Sequence, residues 1–210
     1  MASIVIFGGT GYAGSAIAEE AVRRGHSVTV VSPSDSLPPS GTTKRQGSLS
    51  DAVLVDELAS GADVVLVATR AAGGELAQAL PSLTGAAGKH GGRLGFMGGA
   101  GSLHVSEGGP RVVDLPEFPD AHKGEALAHA DVLAALRATP EDVDWFYVSP
   151  GATFGAYNPG EATGQYRIGG DILLADADGN STISGADLAK AFVDEIEDPA
   201  HRRQRFTVAY

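Results

Sequence analysis

The sequence predicts an α/β protein: a doubly wound, mostly parallel sheet between two layers of helices, with a small C-terminal extension covering one end. Three observations predict it. Ser3-Ile4-Val5-Ile6-Phe7 is a short apolar strand that breaks into Gly8-Gly9-Thr10-Gly11-Tyr12-Ala13-Gly14 and then into helix-forming sequence, Ser15–Glu20. Ala62–Ala68 (ADVVLVA) is a near-continuous apolar run, as expected of a central parallel strand buried on both faces. Strand and helix signals alternate along most of the chain, and right-handed crossovers turn that alternation into a parallel sheet.

The bulk properties narrow the class. A chain of 210 residues fits one domain, 1–210, with residues 151–183 read as a small extension on the substrate side. The net charge of −11 argues against nucleic acid and against an anionic membrane surface as partners, since both need a basic face. Absence of cysteine excludes disulfides, thiolate metal sites and cysteine nucleophiles. No apolar run approaches the ~18 residues that cross a bilayer, and the strand begins too early for a signal segment, so a cytoplasmic location is expected.

Taken in order, Ile4–Phe7 is the first strand and Ala13–Arg24 the first helix, closed by Gly25 as a C-cap. His26–Val31 is the second strand, and the Ser- and Pro-rich Ser32–Gly41 is a surface loop. Thr43–Gln46 is the third strand and Asp51–Ser60 a short helix. After the central run, Gly74–His90 is a helix and Arg93–Met97 the fifth strand, leaving through Gly98-Gly99-Ala100-Gly101-Ser102-Leu103. Ser106–Pro119 reads as irregular, Ala121–Arg137 as a long helix and Val143–Val148 as the sixth strand, with Ser149-Pro150-Gly151 leaving its carboxyl end. Beyond Ala152 the alternation stops. Asp176–Asn180 has the aspartates of a calcium loop, but Ser181 occupies the required glycine position and Asp187 the required glutamate. It therefore reads as a hairpin turn at Asp178-Gly179. Ser184 with Asp187 marks the start of a helix to Glu197, and Arg205–Tyr210 is a terminal strand at an edge.

The glycine turn carries chemistry. Gly9, Gly11 and Gly14 satisfy G-x-G-x-x-G, and Gly8, Gly11 and Gly14 satisfy G-x-x-G-x-x-G. Between a strand and a helix, these glycines let the backbone lie against a pyrophosphate while the helix N-terminus holds the anion. The acid that binds an adenine-ribose 2′-hydroxyl usually ends the second strand; here Ser32 stands there, and Asp35 follows beyond it in the loop. Small hydroxyls at Ser32 and Thr10, with Lys44 and Arg45 nearby, suit a 2′-phosphate, which favours NADP while leaving NAD open. The second glycine-rich exit, at Gly98 and Gly99, suits close backbone approach to the nicotinamide and substrate.

These segments together resemble the atypical and extended short-chain dehydrogenase/reductases, in particular NmrA-like and flavin or biliverdin reductase-like NAD(P)-binding proteins with the Rossmann fold. The resemblance spans nearly the whole chain: GGTGYAG at 8–14, GSLSD at 47–51, ADVVLVAT at 62–69, GGAGSL at 98–103, HKGEALAHA at 122–130, WFYVSPG at 145–151 and ISGADLAKAFVDEI at 183–196. It implies NAD(P) lying across the strand ends, with Gly8, Thr10, Gly11, Tyr12, Ala13 and Gly14 at the pyrophosphate. Ala68 and Thr69 would face the adenosine half, and Gly98, Gly99, Ser149, Pro150 and Gly151 the nicotinamide. Two departures stand out. Pro119 occupies the place of the tyrosine in a Tyr-x-x-x-Lys pair ending at Lys123, and Ser48 replaces the usual acid after Gly47.

Candidate substitutes for the missing tyrosine are Ser102, to polarise a carbonyl, His122, to give a proton, and Lys123, to hold a ribose hydroxyl. His104, His129 and His201 lack partners at metal-ligand spacing and read as structural or exposed, so no metal site is expected. Hydride transfer to a small planar acceptor such as a quinone or flavin needs little proton donation. The alternative is a non-catalytic redox sensor that binds NAD(P) and acts on a protein partner. A nucleotide-sugar enzyme ranks third, because the region after residue 150 is short for a substrate domain.

Overall fold

A computed structural model describes residues 1–210. Eight strands form one sheet in the order β3-β2-β1-β4-β5-β6-β8-β7. They are β1 Ser3–Phe7, β2 Ser27–Ser32, β3 Thr43–Gln46, β4 Val64–Val67, β5 Arg93–Met97, β6 Trp145–Pro150, β7 Arg167–Gly169 and β8 Gln204–Ala209. All pairings are parallel except β7 with β8. The helices are α1 Tyr12–Arg23, α2 Ala52–Ala59, α3 Glu75–His90, α4 Asp120–Arg137 and α5 Gly185–Glu197. The doubly wound Rossmann fold is therefore present.

Strand side chains alternate between two faces, and the core divides accordingly. Ile4, Ile6, Val28, Val30 and Leu66 point to α1 and α5, which supply Ile17, Ala18, Leu188 and Phe192. Val5, Phe7, Val31, Val65 and Val67 point to the other face, covered by Leu54 of α2, Leu76 and Leu83 of α3, and Leu133 of α4. After β3 on the far side of β1, the chain crosses over to β4 on its near side. That reversal puts the switch point, where open α/β sheets take their ligands, at the carboxyl ends of β1 and β4.

Several elements differ from the sequence reading. Gly25 lies one residue beyond the cap, at φ 87°. Its N–H donates to Val22 O and that of His26 to Ala21 O, so the helix ends in a Schellman motif. Strand β6 continues through Ser149 and Pro150, because both lie against β8 rather than in a loop. Val112–Asp114 forms a 3-10 turn within the proline-rich segment. Strand β8 is internal, since the short β7 caps the edge outside it. No strands flank Asp178-Gly179; Asp176 instead accepts from the N–H groups of Asp178 and Asn180, making a local side-chain-capped turn.

Candidate functional site

The glycine turn is built so that α1 sits directly on the end of β1. A Cβ at Gly14 would stand 2.3 Å from Gly8 O, and one at Gly8, where φ is 80°, 2.6 Å from Ala68 O. Gly9 has the Val30 side chain where its own would be. Gly11 is different: it is the N-cap, at φ −79° and ψ 171°, and no side chain caps the helix there. The N–H groups of Tyr12, Ala13 and Gly14 thus have no intrahelical partner and open toward the crevice. Bare N–H groups and the helix dipole make this an anion cradle.

The flanking strands complete the crevice wall. Ala68 donates its N–H to Phe7 O at 2.8 Å, which places Thr69 beside the cradle. The hydroxyl of Thr69 is buried and has no hydrogen-bond partner. A buried polar group without a partner is uncommon, and this one fits a ligand that supplies the missing bond. At the end of β2, Thr10 Oγ1 donates to the buried Ser32 Oγ at 3.2 Å, and the chain of hydroxyls continues through Ser34 at 3.0 Å to Ser36 at 2.8 Å. Asp35 points fully into solvent and pairs with Lys44 Nζ at 3.0 Å, while Arg45 pairs with Glu57. No carboxylate faces this corner from the end of β2. The cradle, the unpartnered threonine and the hydroxyl chain together fit a dinucleotide.

At the β5–β6 end, a Cβ on Gly98 would fall 2.0 Å from the Tyr147 ring, so only glycine lets the loop lie there. Gly98 N–H donates to Val148 O, and Ser149 Oγ donates to Gly99 O at 2.9 Å. Ser149 is fully buried and Pro150 is a strand residue, so both shape the floor through the backbone. Gly151 packs against the Ser181–Thr182 peptide.

The three catalytic candidates are not brought together. Ser102 is tied to β8, where Arg205 donates to its hydroxyl at 2.8 Å and also contacts its carbonyl. Arg205 pairs with Tyr147, three residues before the end of β6 at Pro150. Asp171 holds that guanidinium in turn. His122 and Lys123 lie exposed in the first turn of α4, and neither side chain makes a hydrogen bond or ion pair.

His129, expected to be structural or exposed, is buried in a chain of polar groups. Its Nε2 lies 3.1 Å from Glu125 Oε1, and the Tyr147 hydroxyl lies 3.3 Å from its Nδ1. Glu125 also accepts the N–H groups of Ala71 at 2.7 Å and Ala72 at 2.9 Å. The His129 contact and these two amides hold the Glu125 carboxyl at about 2, against the opposing effect of burial. Burial pushes the Tyr147 hydroxyl well above its ordinary range. The available signal was the i, i+4 spacing of Glu125 and His129, which puts both on one helix face.

A second hub fastens the extension. The buried Asp187 accepts from Thr163 N–H at 2.7 Å, Gly164 N–H at 2.9 Å and the Tyr210 hydroxyl at 2.5 Å. The segment before these anchors lies against the start of α1: the Phe154 ring centroid is 5.4 Å from that of Tyr12, and the Tyr12 hydroxyl donates to Pro159 O at 3.4 Å.

Fold and crevice together define a nucleotide-binding Rossmann protein. Residues 8–199 match the family described as NAD(P)H-binding, and the chain belongs to that family. It is 37% identical to YwnB of Bacillus subtilis over 98% of this chain and 97% of that protein. A candidate exported protein of Burkholderia pseudomallei is 40% identical, covers both chains completely and superposes with a TM-score of 0.88. A Streptococcus pneumoniae protein described as a candidate NADH-flavin reductase is 32% identical over 100% of this chain and 99% of its own, with a TM-score of 0.89. No helix is long and apolar enough to cross a membrane.

Proposed function

We propose that this protein is a cytoplasmic NAD(P)H-dependent oxidoreductase, one domain over 1–210, that transfers hydride to a small planar acceptor such as a quinone or flavin. One observation carries the reading: the uncapped N-terminus of α1 after β1, the unpartnered Thr69 hydroxyl after β4 and the glycine exit after β5 lie in a row at the carboxyl ends of three adjacent strands. When bound, the dinucleotide supplies the hydride, and the protein contributes binding, orientation and a covered cleft. In this reading the backbone N–H groups of Tyr12, Ala13 and Gly14 hold the pyrophosphate, and Gly8, Thr10 and Gly11 shape the turn that lets it approach, the Gly8 and Gly11 N–H groups being spent on Val31 O and Gly8 O. Ala68 and Thr69 meet the adenosine half, and Gly98, Gly99 and Gly151 admit the nicotinamide over the floor made by Ser149 and Pro150. Residues 151–183 cover the acceptor, with Phe154 over Tyr12.

NADPH is the preferred cofactor in this reading. The Thr10–Ser32–Ser34–Ser36 hydroxyls bond to one another and can reorient to donate to a 2′-phosphate, and Asp35 is turned away onto Lys44. The similarity to a candidate flavin reductase supports an acceptor of that class. Lys123 and His122 remain free to meet cofactor or acceptor from the first turn of α4; Ser102 is left as a loop anchor for Arg205.

The test is a titration with NADPH and NADH, followed by turnover against quinones and flavins. Binding with oxidation of the reduced cofactor is expected, with NADPH bound at least tenfold tighter. Binding without turnover across the whole panel would make the protein a redox sensor for a protein partner instead.

A further inference from the structure

We propose that Glu125 is a positioning residue: through the N–H groups of Ala71 and Ala72 it holds the β4–α3 loop in the place where that loop walls the adenosine half of the dinucleotide. The inference rests on reading the β1–α1 turn as the dinucleotide cradle. Three donors converge on this one carboxylate. Oε1 takes Ala71 N–H at 2.7 Å and faces His129 Nε2 at 3.1 Å, and Oε2 takes Ala72 N–H at 2.9 Å. An amide cannot replace it, because one of its two ends is a donor and would face a donor.

The loop it grips begins at the cradle. Ala68 O and the Thr69 methyl are the atoms that a Cβ on Gly8 would strike, at 2.6 and 3.1 Å, so the glycine turn and this loop are in direct contact. Thr69, two residues before Ala71, carries the buried hydroxyl without a partner. The Glu125 carboxylate is itself held from behind. The Tyr147 hydroxyl sits against His129 Nδ1, and His129 lies beneath Gly99, with Cδ2 3.7 Å from where a Gly99 Cβ would be. One rigid chain, Tyr147–His129–Glu125, therefore ties the β6 core and the Gly98-Gly99 exit to the opposite wall of the crevice. In Arg70-Ala71-Ala72-Gly73-Gly74 the Ala71 methyl is buried in the core and Arg70 lies 3.7 Å from Glu125, so the carboxylate is the polar anchor of the loop.

The experiment compares wild type with Glu125→Gln for binding of NADPH and of adenosine 2′,5′-bisphosphate, which carries only the adenosine half. The variant is expected to lose about tenfold in affinity for both ligands, with the unliganded melting temperature within a few degrees of wild type. In a turnover assay the same variant raises KM for NADPH and leaves kcat at saturation unchanged, the signature of lost ground-state binding. Unchanged affinity in a folded Glu125→Gln protein overturns the clamp and leaves the cofactor reading standing. Failure of wild type to bind NADPH overturns both. Should the variant not fold, amide exchange in wild type decides: Ala71 and Ala72 exchange at least tenfold more slowly than Gly73, and equal rates overturn the clamp.

Discussion

A methyl group at Gly14 would lie 2.3 Å from Gly8 O, whereas at Gly11 it would lie 3.3 Å from the same atom, at a φ that any residue adopts. The two positions therefore separate folding from binding. Gly14→Ala is expected to cost about 1–3 kcal/mol by overpacking and to impair NADPH binding with it. Gly11→Val should leave the melting temperature within a few degrees and abolish binding, because its side chain projects where the pyrophosphate approaches. Thermal unfolding beside NADPH titration checks both; a Gly11→Val protein that binds like wild type removes the cradle assignment. At Ser32, substitution by Asp places a carboxylate where Thr10 and Ser34 now offer hydroxyls. It should reverse the preference from NADPH to NADH by at least tenfold, measured as the ratio of the two dissociation constants. The glycines and Ser32 stand out in the sequence because their spacing and place at strand ends carry the signal, and the fold puts them at the carboxyl ends of β1, β2 and β5. At Ser102 nothing local shows that Arg205, 103 residues away, donates to its hydroxyl.

Among elements, α5 shows how a helix end can organise a distant segment. Ser184 caps it, accepting Asp187 N–H at 3.1 Å, as the S-x-x-D spacing predicts. Asp187 does not return the bond to Ser184 N–H, which instead donates to the Tyr210 hydroxyl at 3.1 Å. Its carboxylate turns to Thr163 and Gly164 and ties the extension to the helix. Asp187→Ala leaves these part-buried donors unsatisfied and is expected to cost about 2–3 kcal/mol. Limited proteolysis should then cut near residues 155–164 in the variant before the rest of the chain. An uncut segment would show that the extension holds by other contacts. Strand β7 was missed because three residues with one glycine carry no periodic signal, and only the antiparallel partner β8 defines them.

Across the whole molecule, the two ends of the sheet are built differently. At the carboxyl ends lie the glycine turns. At the opposite end, the buried Arg93 that starts β5 donates to Glu195 of α5 at 2.6 Å, and His201 Nδ1 lies 2.6 Å from the other oxygen of that carboxylate. Glu195→Ala takes the nearest carboxylate from the buried Arg93 guanidinium, leaving Asp144 at 3.5 Å, and is expected to destabilise by about 3 kcal/mol. Its folded fraction should still bind NADPH with wild-type affinity, because the change is remote from the crevice; loss of affinity in the folded fraction would refute that separation. Burial opposes ionisation at both Glu195 and Asp187. His201 and Arg93 at the first, and Tyr210, Thr163 and Gly164 at the second, outweigh it and hold both carboxyls below the ordinary range. In acid the unfolded chain therefore binds more protons than the native state. Stability should stay level from neutrality to about pH 5 and fall steeply below about pH 4, as unfolded and then native carboxylates protonate. Denaturant midpoints across that range measure it, and Glu195→Gln should flatten the fall.

By itself the sequence determined the doubly wound fold, the order of all its strands but β7, and the glycine turns at the carboxyl ends of strands. Those follow from local signals: apolar period, glycine spacing and helix caps act within a few residues of one another. Only the tertiary structure decided which polar side chains serve the crevice and which serve the scaffold. Glu125 meets Ala71 across 54 residues, Asp187 meets Thr163 across 24, and Arg205 meets Ser102 across 103. A hydrogen bond depends on where two atoms lie in space, and the folded sheet sets that for residues whose separation along the chain carries no trace of it.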